Sequence, residues 1–143
     1  MPNDVDLDDL VCFDLYAASR AVTALYRPLL APLGLTYPQY LVLVLLWREH
    51  SASIKQLSEG LQLDYGTLTP LLRRMESDGL ITRTRSLTDE RSVTIELTDA
   101  GKALKRKAKH VPDAICAGLG LNLTEVHKLQ TTLRRLTANA LAG

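Results

Sequence analysis

The chain has 143 residues, 46% of them apolar, with a formal net charge of +1. That length fits one domain or one protomer of a small oligomer, and the near-neutral balance argues against a nucleic-acid binder that works by bulk charge. No run of about 18 uncharged apolar residues marks a transmembrane helix.

A first helix is expected from about residue 6 to about 31, because Leu7, Leu10, Val11, Leu15, Ala18, Val22, Leu25 and Leu29 recur at three- and four-residue steps. Pro28 should bend it or end it early, and Gly34 breaks the chain. Thr36 and Gln39 have capping-box spacing, with Leu35 and Tyr40 as the hydrophobic staple, so a second helix starts there. Its run PQYLVLVLLWREH is apolar nearly all round and should be central and buried. Ser53 can cap a short third helix, IKQLSEGL. The fourth helix carries Leu68, Leu71, Leu72 and Met75 on one face and stops at Gly79; Asp64 is its expected cap, with the helix loosened near Pro70.

The strand signal comes next. LITRTRS and SVTIEL both alternate around the polar turn LTDER, which predicts a two-stranded hairpin. Thr98 caps a fifth helix that Pro112 should kink or end, and Gly118 and Gly120 mark a loop. Asn122 with Glu125 opens a last helix with an apolar face of Val126, Leu129, Leu133, Leu136 and Ala140. A short helix, a turn, a helix and then a hairpin make a winged helix-turn-helix. The fold class is therefore mainly α with a small β-hairpin, and long terminal helices with apolar stripes call for a partner, most simply a second copy.

Residues 1–143 read as one domain, with the DNA-binding lobe at 36–98 and dimerisation helices at 1–35 and 99–143. Opposite the apolar face of the fourth helix stand Gly66, Thr69, Pro70, Arg73 and Ser77, with Thr67 and Arg74 nearby. Threonine and arginine at a helix surface suit base edges and phosphates in a major groove. Arg83, Arg85 and Arg91 on the hairpin suit a minor groove and its flanking phosphates. The plainer alternative is a set of solvated surface charges.

The acidic start MPNDVDLDDL lacks a basic flank before an apolar core, so no secretory signal is read there. A cytoplasmic setting with reduced thiols is the default expectation. His50, His110 and His127 are scattered and there is no Cys-x-x-Cys, so no metal or other cofactor is expected. A glycine-rich phosphate loop is also missing, which leaves no motif for an enzyme. The two cysteines, Cys12 and Cys116, stay open between inert packing and reactive thiols.

DERSVTIELT resembles the wing signature of MarR-type regulators, with Asp89, Arg91, Leu97 and Thr98 at its fixed positions. LVCFDLYAASR, LTYPQYLVLVLLW and LDYGTLTPLLRRME are similar to the organic hydroperoxide resistance regulators within that family. Tyr65 stands where a small residue, typically serine, is expected. The resemblance implies a winged-helix homodimer on an inverted repeat of double-stranded DNA, its two reading helices about 34 Å apart. It implies that Asp89 orients Arg91 at the wing tip.

It implies further that Cys12 is oxidised by an organic hydroperoxide and stabilised as a thiolate by the hydroxyls of Tyr26 and Tyr37 of the other subunit. Cys116, also from the other subunit, would be the resolving thiol of a disulfide, with a small cellular thiol as the alternative. Two competing readings remain: a repressor answering to a small phenolic or lipophilic ligand, and a thiol peroxidase.

Overall fold

A computed structural model describes residues 4–85 and 92–143. Its backbone clusters into two compact units, one ending at Val111 and one running from Pro112 to Gly143.

In the first unit, Asp6 caps a 3-10 turn, Leu7–Asp9, by accepting from the Asp8 amide at 3.0 Å. Leu10 is extended, at φ −98° and ψ 102°, and helix α1, Val11–Leu30, begins after it. The expected single helix from residue 6 is therefore a turn, a break and a helix. The Asp6 carboxylate caps the start of that turn, and the extended Leu10 ends it before α1 begins. Pro28 lies inside α1 and does not end it. It falls in the last turn, where the carbonyl it cannot serve belongs to exposed Ala24. A 3-10 turn, Ala31–Leu33, follows, and Gly34 closes it at φ 71°.

Helix α2, Tyr37–Glu49, has the expected capping box: the Gln39 amide donates to Thr36 Oγ1 at 3.4 Å, and the Thr36 amide to Gln39 Oε1 at 3.1 Å. Leu35 and Tyr40 are buried, as a staple requires. Val42, Leu43 and Leu46 are wholly buried, though Val44 is exposed. Strand β1, Ser51–Ser53, precedes helix α3, Ile54–Leu61, which Ser53 and Gln56 cap reciprocally. Helix α4, Tyr65–Ser77, is capped by Asp64, which accepts from the Thr67 amide at 2.7 Å. Pro70 sits within α4 without interrupting it.

Strands β2, Ile81–Arg85, and β3, Val93–Leu97, pair antiparallel, with Arg83 opposite Ile95. The turn between them, with Asp89 and Arg91, lies outside the described residues. The hairpin is in fact part of a three-stranded sheet in the order β1-β3-β2, with Ala52 opposite Ile95. Three residues are too few for alternation to announce a strand; β1 exists because β3 offers it an unpaired edge and Ala52 fits the core beneath. Leu57, Leu68, Leu72, Met75, Ile81 and Ile95 complete that core.

Helix α5, Asp99–Lys107, is capped by Thr98. Helix α6, Val111–Leu119, follows after residues 108–110, so Pro112 opens a helix where the sequence suggested an end. Proline suits a first turn because its missing amide would have no partner there. Gly118 lies within α6, and the loop shrinks to Gly120–Asn122, with Gly120 at φ 66°. Helix α7, Leu123–Ala142, has the expected Asn122–Glu125 capping box and no buried residue. Among the described residues no single helix is long and apolar enough to cross a membrane.

Leu72 is wholly buried behind the exposed face of α4. Leu72→Ala should cost about 3 kcal/mol through lost transfer energy and the cavity left behind. A urea midpoint falling accordingly, at unchanged m-value, checks this.

Candidate functional site

The outer surface of α4 follows from its inner one. With Leu68, Leu72 and Met75 buried, the helical period turns Gly66, Pro70, Arg73 and Ser77 outward, flanked by Thr67 and Arg74. Thr67 and Arg73 are exposed, and Thr69 is half-buried at the edge of that surface. Arg74 reaches Asp78 one turn on, at 3.7 Å, and both ends stay solvated. On β2, Arg85 is exposed and Arg83 half-buried. The helix and the strand thus bring four predicted arginines to two successive elements. Tyr65, at the first position of α4, is exposed.

The base of this surface is closely fitted. The Thr98 hydroxyl donates to the Gly79 carbonyl at 2.7 Å, and the Thr98 amide to the Leu80 carbonyl at 3.1 Å. Gly101, in the first turn of α5, sits so near that a Cβ there would run into the Leu80 carbonyl oxygen. The Trp47 indole donates to the Gly101 carbonyl at 3.0 Å.

The phenols predicted as thiolate donors meet where α1 passes the start of α2. The rings of Tyr26 and Tyr37 are 4.4 Å apart between centroids, and Tyr26 and Tyr40 are 5.7 Å apart. Burial raises the Tyr37 hydroxyl above the ordinary phenol range. It does the same to Tyr40, with the nearby Tyr37 adding to the effect. Tyr37 is therefore a neutral O–H donor throughout the physiological range.

Cys12 is the second residue of α1 and is exposed. The break at Leu10 places it in the first turn, where the positive end of the helix dipole acts most strongly. Asp8, Asp9 and Asp14 oppose that field. Leu7, Leu10, Val11, Phe13 and Tyr16 around it are exposed apolar groups. Tyr16, one turn on, lies under the Arg20 guanidinium at 5.6 Å. Cys12 and Tyr26 share one helix and are roughly 21 Å apart along it at about 1.5 Å per residue. Within one chain the thiol and the phenols do not meet. Cys116 lies in α6 of the second unit and is likewise a free, exposed thiol.

Residues 24–108 match the model of the SarA/Rot transcriptional regulators. Over 116 residues the chain is 54% identical to the organic hydroperoxide resistance transcriptional regulator of Bacillus subtilis strain 168, covering 81% of this chain and 77% of that one. The reduced, DNA-bound structure of AbfR, a protein of Staphylococcus epidermidis, is 32% identical and superposes with a TM-score of 0.80 over 94% of both chains. AbfR has also been captured disulfide-bonded and, overoxidised, on DNA. A cysteine-to-serine mutant of MarR from E. coli, complexed with operator DNA, is 25% identical, with a TM-score of 0.82 over 94% of this chain and 99% of that one.

The chain belongs to the MarR-type winged-helix transcriptional regulators. It is a DNA-binding regulator, and its relatives are regulators rather than enzymes. As such a regulator it has a feature that the sequence reading passed over: Tyr40 and Trp47 continue the line of Tyr26 and Tyr37 along α2, with Tyr40 and Trp47 edge-on at 6.1 Å. The signal was present in the spacing, since Tyr37, Tyr40 and Trp47 recur at helical steps.

The raised phenols set a pH dependence. Below about pH 10 folded and unfolded chains hold the same phenol protons; above it the unfolded chain releases them first. Stability therefore falls as pH rises from about 10 through the folded-state values. Tyr37→Phe should flatten that alkaline fall, measured as urea midpoints from about pH 9 to about pH 11; an unchanged slope contradicts it.

Proposed function

We propose that this regulator is a homodimeric repressor that holds an inverted-repeat operator when reduced and releases it once an organic hydroperoxide has oxidised Cys12. The observation that carries this reading is the placement of Cys12: exposed, in the first turn of α1, with exposed apolar residues on either side in the chain, yet roughly 21 Å along the helix from the phenols that suit it. A second copy resolves the mismatch. Residues 1–35 and 99–143 serve as the dimerisation helices, laying Tyr26 and Tyr37 of one protomer against Cys12 of the other. The exposed apolar residues of α1 (Val11, Phe13, Tyr16 and Leu25) and the exposed leucines of α7 support that assembly, since unpartnered apolar surface marks an interface.

The chemistry then balances. The Cys12 thiolate attacks the terminal peroxide oxygen; the O–O bond breaks, the sulfur becomes a sulfenic acid, and the peroxide leaves as an alkoxide that takes a proton to become an alcohol. A thiol, from Cys116 of the other protomer or a small cellular thiol, displaces water from the sulfenic acid and forms a disulfide. The apolar surround of Leu10, Val11 and Phe13 favours an organic peroxide over hydrogen peroxide. A disulfide needs its Cα atoms within about 7 Å, so if the reduced thiols stand farther apart its formation shifts helices that join the two reading surfaces. Thr67, Thr69, Arg73, Arg74, Arg83 and Arg85 make the DNA contacts, with Asp89 and Arg91 at the wing tip. The relationship to a hydroperoxide resistance regulator, and the reduced and disulfide forms known for AbfR, support this reading.

Cys12→Ser tests it. The variant should bind upstream DNA with wild-type affinity and stay bound after one equivalent of alkyl hydroperoxide, in a gel shift that releases the wild type. Release of both proteins alike overturns the reading. Arg73→Ala should weaken operator binding and lower the slope of log affinity against log salt by about one if Arg73 meets a phosphate; an unchanged slope with lost sequence preference would place it on a base instead.

A further inference from the structure

The paired phenols and a hydrogen bond to α5 stand at opposite ends of α2. Tyr37 begins that helix and stacks on Tyr26. Tyr40 follows one turn on, packed against Tyr26 at 5.7 Å. Trp47 lies near the far end, edge-on to Tyr40 at 6.1 Å. Its indole N–H then leaves the aromatic line and donates to the Gly101 carbonyl.

Gly101 is where movement would matter. Its amide donates to Thr98 Oγ1 at 3.1 Å, and the Thr98 hydroxyl donates to the Gly79 carbonyl. Gly79 and Leu80 are the residues by which α4 leaves and β2 begins. Because no Cβ separates Gly101 from the Leu80 carbonyl, the first turn of α5 rests directly on that backbone. A shift of α5 by a fraction of an ångström is passed to the turn holding α4 and the wing, since close-packed contacts of this kind do not absorb strain.

We infer that Trp47 is a positioning residue that couples the Tyr26–Tyr37 phenols to the base of the reading helix and wing. The inference rests on the proposed peroxide-sensing reading and deepens it. Oxidation of Cys12 of one protomer removes the thiolate that orders the partner's phenols; the change passes along Tyr40 and Trp47 to Gly101, and from there to the α4–β2 turn. Spatial continuity alone does not establish coupling, so the test measures coupling itself.

Trp47→Phe keeps an aromatic ring and removes the N–H donor. The readout is the ratio of operator affinities, reduced over oxidised, by fluorescence anisotropy on labelled DNA. One lost hydrogen bond should shrink that ratio about fivefold. A purely structural tryptophan would weaken both states equally and leave the ratio intact, and that result overturns the inference. Trp47 is also the sole tryptophan in the chain, so the unmodified protein gives a second readout. Its emission should shift on addition of alkyl hydroperoxide, in step with DNA release, and stay fixed in Cys12→Ser. Unchanged wild-type emission during release, or a shift that persists in Cys12→Ser, overturns the inference whether or not Trp47→Phe folds. A wild type that neither shifts nor releases DNA overturns the sensing reading itself.

Discussion

One helix sets the terms of the whole account. Cys12 and Tyr26 both belong to α1, at a separation of roughly 21 Å that no side-chain motion can close. In the proposed site the thiol and the phenols that would donate to it are therefore held apart within one chain by the stiffness of the backbone. In the proposed dimer that separation becomes useful. Each thiol is completed by the other chain, so the chemical state of one sulfur is felt at the seam between two reading heads. A site assembled within one chain could be oxidised without either head moving.

The reading head depends on a different constraint, the tight seating of α5. Thr98 and Gly101 tie its first turn to Gly79 and Leu80 through two hydrogen bonds and a contact that admits no side chain. On the other side β3 pairs with both β2 and β1. The outward face of α4 and the arginines of β2 thus share one foundation. In the proposed switch, DNA release needs a small displacement of that foundation rather than unfolding of α4, whose Asp64 cap and buried leucines keep it formed.

Much of this was legible in the chain. Capping boxes at Thr36–Gln39 and Asn122–Glu125, and the caps at Ser53, Asp64 and Thr98, each appear where side-chain chemistry placed them, because a cap is a local interaction between residues three apart. The buried faces of α2 and α4 follow from periodicity. The failures share a cause as well. Strand β1 is too short to carry a pattern and is created by the edge of β3. The break at Leu10 is a single extended residue, which the apolar periodicity runs straight across. Pro112 reads as a stop or a start according to what precedes it, and here Ala108–His110 had already ended α5. At the site, the residue types were visible in the sequence; the spacing of Cys12 from the phenols became informative once α1 was known to start at Val11.

The composite nature of the thiol site is the claim on which the rest turns, and mixed dimers test it most directly. Chains carrying Cys12→Ser are combined with chains carrying Tyr26→Phe and Tyr37→Phe, and the oxidation rate of the one remaining Cys12 is followed by intact mass after alkyl hydroperoxide. That Cys12 sits on a chain without the two hydroxyls, opposite a chain that has them. The account predicts oxidation at the wild-type rate in the mixed dimer and slow oxidation in the phenylalanine homodimer. Slow oxidation in both would contradict it, because the phenols would then act within their own chain.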